Sequence, residues 1–567
     1  MKTIVLSCFF ALAGMTTLSA ATLEASSTQP VYPGTTIPRL SIVSGSGKTS
    51  YVRGVNNYPT DPAATEGIWF NAPTGSQLTF KSGTTSVVKV ADITAEEIQP
   101  GLFAVRIKPS GVGFSKITVS LSGASDYTIQ YAASKASGVP SQTTWLTGSS
   151  DASAMCEVGD GYFFVADDET NVMRLYSSNF SGMPLKEIDA SGFANGSEEF
   201  DVEGATVSDD GKTVYWIASL ANNKSGKAKP YRNRAFSTKL SGTGFEATLS
   251  AGAYSEKFRD AMIAFGDANG WNFTASASTD NKMIPKRIDG FNIEGLTLKT
   301  NGGGVAYVGF RAPCVPKKGV TPTSSNRKYA VMAPVNNFTS IFSGSGKSST
   351  NVQTGDPILF DFGGLGIRSI ERVGDYYVII AGLFEGGGTP RTYLWDGTTN
   401  ANSDPITKGD HLKEMALNMN ELVGGEEGHP EALTVRQDGN QLYMNVVSDL
   451  GSVDMYNDGE ENKTYAADSK KKPWGKFRLD TFVYTLPETT AIKEATLVPD
   501  FSYRINGNVL TIGGIAAGTN VKVVSLDGRV VASAVANGAA CSLELPQGRA
   551  VEVVQAGDKS MKLAKSN

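Results

Sequence analysis

Three glutamates stand at the same place in three copies of one short pattern: Asp201-Val-Glu-Gly-Ala-Thr206, Asn292-Ile-Glu-Gly-Leu-Thr297 and His429-Pro-Glu-Ala-Leu-Thr434. If the copies fold alike, Glu203, Glu294 and Glu431 gather around one axis. Like charges held that close do not all stay ionised without compensation. A bound cation, arginines or shared protons would each supply it. The chain has two histidines, His411 and His429, and no cysteine cluster. An oxygen-only ligand set of this kind suits Ca²⁺ or Mg²⁺ and not zinc. Asp201, Asn292 and the acidic run Asp167-Asp-Glu-Thr-Asn171, which contains Asp168 and Glu169, offer further oxygens. That run reads equally as a solvated loop after the strand Tyr162 to Val165.

Arginines recur near the same motifs. Arg311 closes Val308-Gly-Phe-Arg311, Arg368 closes Gly363-Gly-Leu-Gly-Ile-Arg368, and Arg232 and Arg234 lie in Tyr231-Arg-Asn-Arg-Ala-Phe236. They either pair with the glutamates and tie adjacent repeats together, or, unpaired, grip a phosphate or carboxylate bidentately. His429 replaces the Asp or Asn of the other copies, as a proton shuttle or as a satisfied structural imidazole. The chain contains no G-x-S-x-G elbow. Gly363-Gly-Leu-Gly is followed by no helix pattern and no Lys-Ser/Thr, so it is not a phosphate loop.

The elements that must position these residues are strands. Each copy continues as strand, tight turn, strand: TVSDDGKTVYWIAS, TLKTNGGGVAYVGFR and TVRQDGNQLYMNVVSD. Asp-Gly and Asn-Gly centres supply the positive φ that hairpins need. Repeated strand-turn units predict propeller blades. Weaker copies begin near Ser153 and Gly364, which makes five, and the long gap between 201 and 292 has room for a diverged sixth. The stretches 254–265 and 411–422 carry helical periodicity and predict insertion helices. Before this region, residues 22–137 alternate as strands with turns every ten or so residues, the pattern of an immunoglobulin-like β-sandwich. The expected order is therefore all-β: a sandwich over 22–137, a five- or six-bladed propeller over 144–487, and a small β-sandwich over 501–567.

At 567 residues several domains are expected, and a net charge of −5 supplies no basic footprint for nucleic acid. Residues 1–21 read as an export signal: Lys2, an apolar run from Ile4 to Met15, and small residues at Ser19-Ala20-Ala21. That run is too short to span a bilayer, so no transmembrane segment is expected and the mature protein is soluble, secreted or at the cell surface. Cys8 leaves with the signal. Cys156 and Cys314 either pair across neighbouring blades or stay buried as small apolar side chains.

The ordered set DDETN, DVEGAT, RNRAF, DGFNIEGL, GFRAP, GGLGIR and HPEAL resembles a family of exported bacterial β-propellers catalogued as a domain of unknown function. Its Asp-x-Glu-Gly motif is similar to that of esterase-like and phytase-like propellers. That likeness implies Ca²⁺-assisted hydrolysis of phosphate esters, with acidic channel residues as ligands. His429 and Ala432 depart from the usual Asp and Gly of the motif, which weakens the case for a symmetric metal cluster. The last segment, with Asn508-Val-Leu-Thr-Ile512, Val521-Lys-Val-Val-Ser-Leu-Asp-Gly-Arg529 and Lys559-Ser-Met-Lys-Leu563, resembles the sorting domain of the type IX secretion system of Bacteroidota. The resemblance implies cleavage after transit by that machinery, and Cys541 would leave with the domain. The usual Gly-x-Tyr reads Gly548-Arg-Ala here.

Two functions follow from these residues. One is a Ca²⁺-dependent hydrolase of phosphate or carboxylic esters at the channel mouth, with Glu203, Glu294 and Glu431 on the cation and Arg311 and Arg368 orienting a small anionic substrate. The other is a non-catalytic surface protein that binds a glycan, peptide or protein partner.

Overall fold

Short runs of Val, Ile, Tyr, Phe and Thr, interrupted by Gly, Asn and Asp, form strands along the whole chain. The computed structural model describes residues 21–26, 41–43, 50–58, 67–135, 143–196, 198–279, 284–301, 303–385, 388–417, 429–486, 501–525, 530–545, 551–557 and 559–564. The expected export signal lies almost wholly outside them. The chain divides into two compact units, Met1–Leu486 and Pro487–Asn567.

The first unit begins with two facing sheets. Glu24–Ala25, Gly67–Asn71, Leu102–Ile107 and Ile93–Gln99 form one; Ser41–Val43, Ser50–Tyr58, Tyr127–Lys135, Gly113–Ser120 and Thr79–Ser82 form the other. They share one core that includes Phe70, Phe103, Val105, Ile117 and Ile129. In the second sheet Ser50–Tyr58 and Tyr127–Lys135 run parallel.

The ring that follows is built on five inner strands: β1 (Ala152–Glu157), β2 (Val202–Val207), β3 (Asn292–Leu298), β4 (Gly366–Val373) and β5 (His429–Asp438). Each starts an antiparallel sheet of four strands; the second sheet gains Gly346–Lys347, parallel, at its outer edge. Each inner strand touches the next, and β5 touches β1, so the circuit closes. Five separate apolar cores fill the five contacts between successive sheets. Middle strands such as Thr213–Ala218 are buried on both faces, which is why they read as almost unbroken apolar runs. The fifth sheet takes its outer strand, Thr143–Thr147, from the start of the ring, paired antiparallel with Lys476–Thr485.

The stretch between β2 and β3 holds the other three strands of the second sheet and the helix Phe258–Ala268, not a further sheet. The helix begins a few residues later than periodicity suggests. Its Phe258, Met262 and Phe265 pack into the core between the second and third sheets. The helix expected over 411–422 is corrected: Leu412–Met415 is the outer strand of the fourth sheet, paired with Arg391–Trp395, and 418–428 lie outside the described residues. An open sheet edge outweighed a weak helical spacing.

Cys156 and Cys314 are free, buried thiols, so no disulfide joins them. Cys156 lies in the core between the first and second sheets, while the Cys314 thiol donates to Gly364 O at 3.6 Å. No described helix is long and apolar enough to cross a membrane. In the second unit, two sheets of three and four strands pack around Leu510, Ile512, Val521, Val523, Leu543 and Val554.

Candidate functional site

A β-bulge interrupts the pairing of every inner strand at the same level. The skipped residues are Ser153 in β1, Glu203 in β2, Glu294 in β3, Arg368 in β4 and Glu431 in β5. A bulged residue leaves the ladder and its side chain is re-aimed. Five bulges in register therefore present five polar side chains to one cavity of about 430 Å³ at the channel mouth. The motif glycines have a packing reason. A Cβ on Gly204 would lie 3.0 Å from Leu296 Cβ, and one on Gly295 would lie 3.0 Å from Ile367 Cγ2, so each lets its strand approach the next.

Two residues before each bulge comes a second ring: Asp151, Asp201, Asn292, Gly366 and His429. Asp151, Asp201, Asn292 and His429 line the cavity, together with Asp168, Glu169, Arg232, Arg311, Glu385 and Asp449. Ten carboxyl groups in all face six lysines and arginines there.

On one side the charges are paired. Arg311 Nη1 donates to Glu294 Oε1 at 2.5 Å, and its Nε donates to Phe384 O at 2.9 Å. Arg368, 4 % exposed, places Nη1 2.5 and 2.6 Å from the two Glu431 oxygens and 3.4 Å from Glu294 Oε2. Its Nη2 donates to Leu383 O at 3.3 Å. One guanidinium nitrogen thus binds two glutamates across three sheets, and both arginines are engaged by glutamate.

Arg232 and Asp201 form a separate pair. Arg232 Nη1 lies 2.8 Å from Asp201 Oδ2, and its Nη2 donates to Glu199. Asp201 also accepts from the Ser219 hydroxyl and sits at φ 57°, a left-handed conformation that Asp tolerates better than most side chains. Arg234 does not line the cavity. Its guanidinium stacks 4.5 Å from the Tyr231 ring centroid and pairs with Glu256 at 3.1 Å, because the strand it enters turns it toward the aromatic core.

The remaining side is acidic and underpaired. Glu203 makes no ion pair or hydrogen bond among the described residues. Asp168 Oδ1 and Asn292 Oδ1 are buried without a donor, although Asn292 Nδ2 donates to Glu294 Oε1 at 3.2 Å. Asp151 accepts from the Ser150 hydroxyl, and Gly451 N donates to Asp449 Oδ1 at 2.6 Å. The loop comes so close that a Cβ on Gly451 would lie 1.7 Å from Asp151 Oδ1.

Burial sets the protonation of this wall. It pushes Asp449 up to about 7, aided by the Glu431 charge. It pushes Asp151 up to about 8, aided by Asp449. Asp168 and Glu203 are driven well above the usual carboxyl range, first by burial and then by Asp449 and Glu294 respectively. Strongly perturbed carboxyls gathered in a cleft make it a functional-site candidate.

Glu294 and Glu431 are held by arginines, so guanidinium charge compensates two of the three motif glutamates. Among the described residues no three His, Cys, Asp or Glu side chains are placed to hold a metal ion. Asp151, Ser153 and Asp449 escaped the sequence reading, though a signal existed. Asp151 stands two residues before its bulge as Asp201 does, and Asp449 ends its strand beside the site as Asp167-Asp168 does.

Residues 274–461, which include β3, β4 and β5, match a family model described as a protein of unknown function, DUF3616. No curated protein matches the chain. Among solved structures, a protein of unknown function from Bacteroides thetaiotaomicron is 10% identical, with 81% of this chain and 100% of that one covered, at a TM-score of 0.23. Glutaminyl cyclase from Myxococcus xanthus is 9% identical over 61% of this chain and 96% of its own, at 0.28. PorZ, a surface component of the type IX secretion system of Porphyromonas gingivalis, is 12% identical over 80% and 64%, at 0.23. Scores this low carry no argument about what this chain does.

Proposed function

We propose that the chain is a five-bladed β-propeller, exported to the cell surface or beyond, that binds a ligand in its channel mouth. The observation that carries the proposal is the uneven compensation of the bulge ring. Glu294 and Glu431 are locked by Arg311 and Arg368, while Glu203, Asp168, Asp151 and Asp449 face the cavity and make no ion pair among the described residues. Buried acceptors without donors are costly unless a ligand completes them. The same pairing weighs against a small anionic substrate, since the two arginines meant to orient it are already engaged. The immunoglobulin-like topology of the N-terminal sheets, supported by their strand alternation and turn spacing, and the type IX sorting role of the last unit, supported by its sequence resemblance, belong to this proposal.

A hydrolase reading is favoured by one observation, the spread of carboxyl protonation across the wall. Asp449, at about 7, is poised as a base that takes a proton from water as the water adds to an ester. Glu203, whose carboxyl burial pushes well above the usual range, would return a proton to the leaving alkoxide. Ca²⁺ stays a proposal confined to the acidic side, and no step is routed through it.

The test is a thermal-shift and calorimetric screen of the full mature chain with Ca²⁺, glycans and peptides, beside Glu203→Gln, and with chromogenic phosphate and carboxylic esters for turnover. A ligand that stabilises the wild type and not Glu203→Gln supports the channel-mouth site. Ester turnover lost in Asp449→Asn supports hydrolysis. Ligands that bind both proteins equally, with no turnover, would move the site elsewhere.

A further inference from the structure

Resting on the channel mouth being a ligand site, we infer that its ligand is a small organic cation rich in N–H donors, an amine or guanidine seated against Glu203, Asp168 and Asn292. Three independent acceptors there lack a donor. Glu203 is 9 % exposed and makes no hydrogen bond among the described residues. Asn292, 4 % exposed, spends its amide nitrogen on Glu294 and leaves Oδ1 empty-handed. Asp168 Oδ1 is likewise without a donor. Asn292 Oδ1 can only accept, and a cation beside Glu203 and Asp168 would hold both carboxyls ionised as acceptors, so what completes the three donates and carries positive charge.

The arrangement separates this ligand from the two other classes. An anion would meet ten carboxyl groups with Arg232, Arg311 and Arg368 already engaged, leaving only Lys224, Lys229 and Lys286 of the lining to draw it in. A bare divalent ion needs several oxygens converging at roughly 2.3–2.6 Å on one point, and no three acidic or histidine side chains among the described residues converge so. The acceptors instead lie around a cavity of about 430 Å³, within the size range of small-molecule sites. An ammonium carries three diverging donors and a guanidinium five. Either spans separated acceptors at hydrogen-bond length, where a metal ion would have to draw them together. Arg368 already shows the chemistry within this ring: a guanidinium occupies the place where three other inner strands carry glutamate, and it binds the two nearest ones.

The test is calorimetric titration of the full mature chain with putrescine, with 1,4-butanediol as its neutral counterpart and with Ca²⁺, in about 0.15 M salt so that general attraction is screened. Putrescine is expected to bind at one site at least about tenfold more tightly than the diol. Asp168→Asn and Glu203→Gln are each expected to weaken it by about tenfold or more, the worth of one charged hydrogen bond. Both variants should keep or raise the melting temperature, since each removes a carboxyl whose ionised form burial disfavours. Equal binding of diol and diamine would overturn the cation inference. So would Ca²⁺ bound with loss in both variants and no response to putrescine, although the channel mouth would then stand as a site. No response to any probe, with glycan or peptide binding unaffected by Glu203→Gln, would remove the inference and the site together.

Discussion

Replacing Arg368 by methionine keeps most of its length and removes the charge that joins the fourth sheet to its neighbours. Arg368 and Glu431 expose 4% and 11% of their side chains, so solvent screening does little here. A surface pair would be worth about 0–1 kcal/mol. A buried partner stranded by such a change costs about 3–5 kcal/mol. The two glutamates do not suffer equally. Glu294 keeps Arg311 at 2.5 Å and Asn292 at 3.2 Å, whereas Arg368 is the only ion-pair partner of Glu431 among the described residues. The expected loss in Arg368→Met is therefore about 3–5 kcal/mol, carried mainly by Glu431. The assay is urea unfolding followed by tryptophan fluorescence, beside Glu431→Leu and the double variant. The double variant should recover much of the loss, because no charge is then stranded, giving a coupling of about 1–3 kcal/mol. A loss under about 1 kcal/mol in Arg368→Met, or a double variant no better than the single, would mean that water reaches the pair and that the lattice is not what ties these sheets.

Stability should also fall as pH rises from about 4 toward 8. An acid whose folded pKa lies above its unfolded value holds more protons when folded, so each pH unit in that window costs up to about 1.4 kcal/mol per group. The window closes at about 7 for Asp449 and about 8 for Asp151. Thermal melts across that range should show the slope, and Asp151→Asn and Asp449→Asn should flatten it. Gly295→Ala would set a methyl 3.0 Å from Ile367 Cγ2 and 3.1 Å from Gly309 Cα. It should destabilise the chain by about 1–3 kcal/mol in the same urea assay, and an unchanged midpoint would show that β3 and β4 can move apart.

The glutamates were legible because the pattern around them repeats: an acidic or amide residue, an apolar one, then Glu and a small residue. What repetition could not reveal was that the bulge, not the residue type, is the conserved geometry of the ring. Ser153 and Arg368 occupy it without resembling Glu203. Whether the arginines would pair or stay free was undecidable from spacing, since Arg311 and Glu294 lie on neighbouring strands and Arg368 and Glu431 on different sheets. Spacing alone does not decide the segment around Leu412–Met415, because apolar residues three apart fit a helix as well as an edge strand with two buried ends. Its fate was set by the exposed edge of Arg391–Trp395, which local sequence does not contain.

The strand Thr143–Thr147 gives the ring a clock as well as a clasp. It waits for Lys476–Thr485, more than three hundred residues downstream, and Thr143 Oγ1 meets Asp480 Oδ1 at 2.5 Å only when both have arrived. Contacts that distant in sequence form late. Until they do, the first and fifth sheets do not face each other, and Asp151 and Asp168 stand apart from Asp449 and Glu431. The burial that perturbs these carboxyls, and the mutual repulsion that adds to it, thus come with closure of the ring. Charge crowding at the mouth is a cost borne only by the finished ring, and in a chain whose ring is still open these acids are ordinary, hydrated ones.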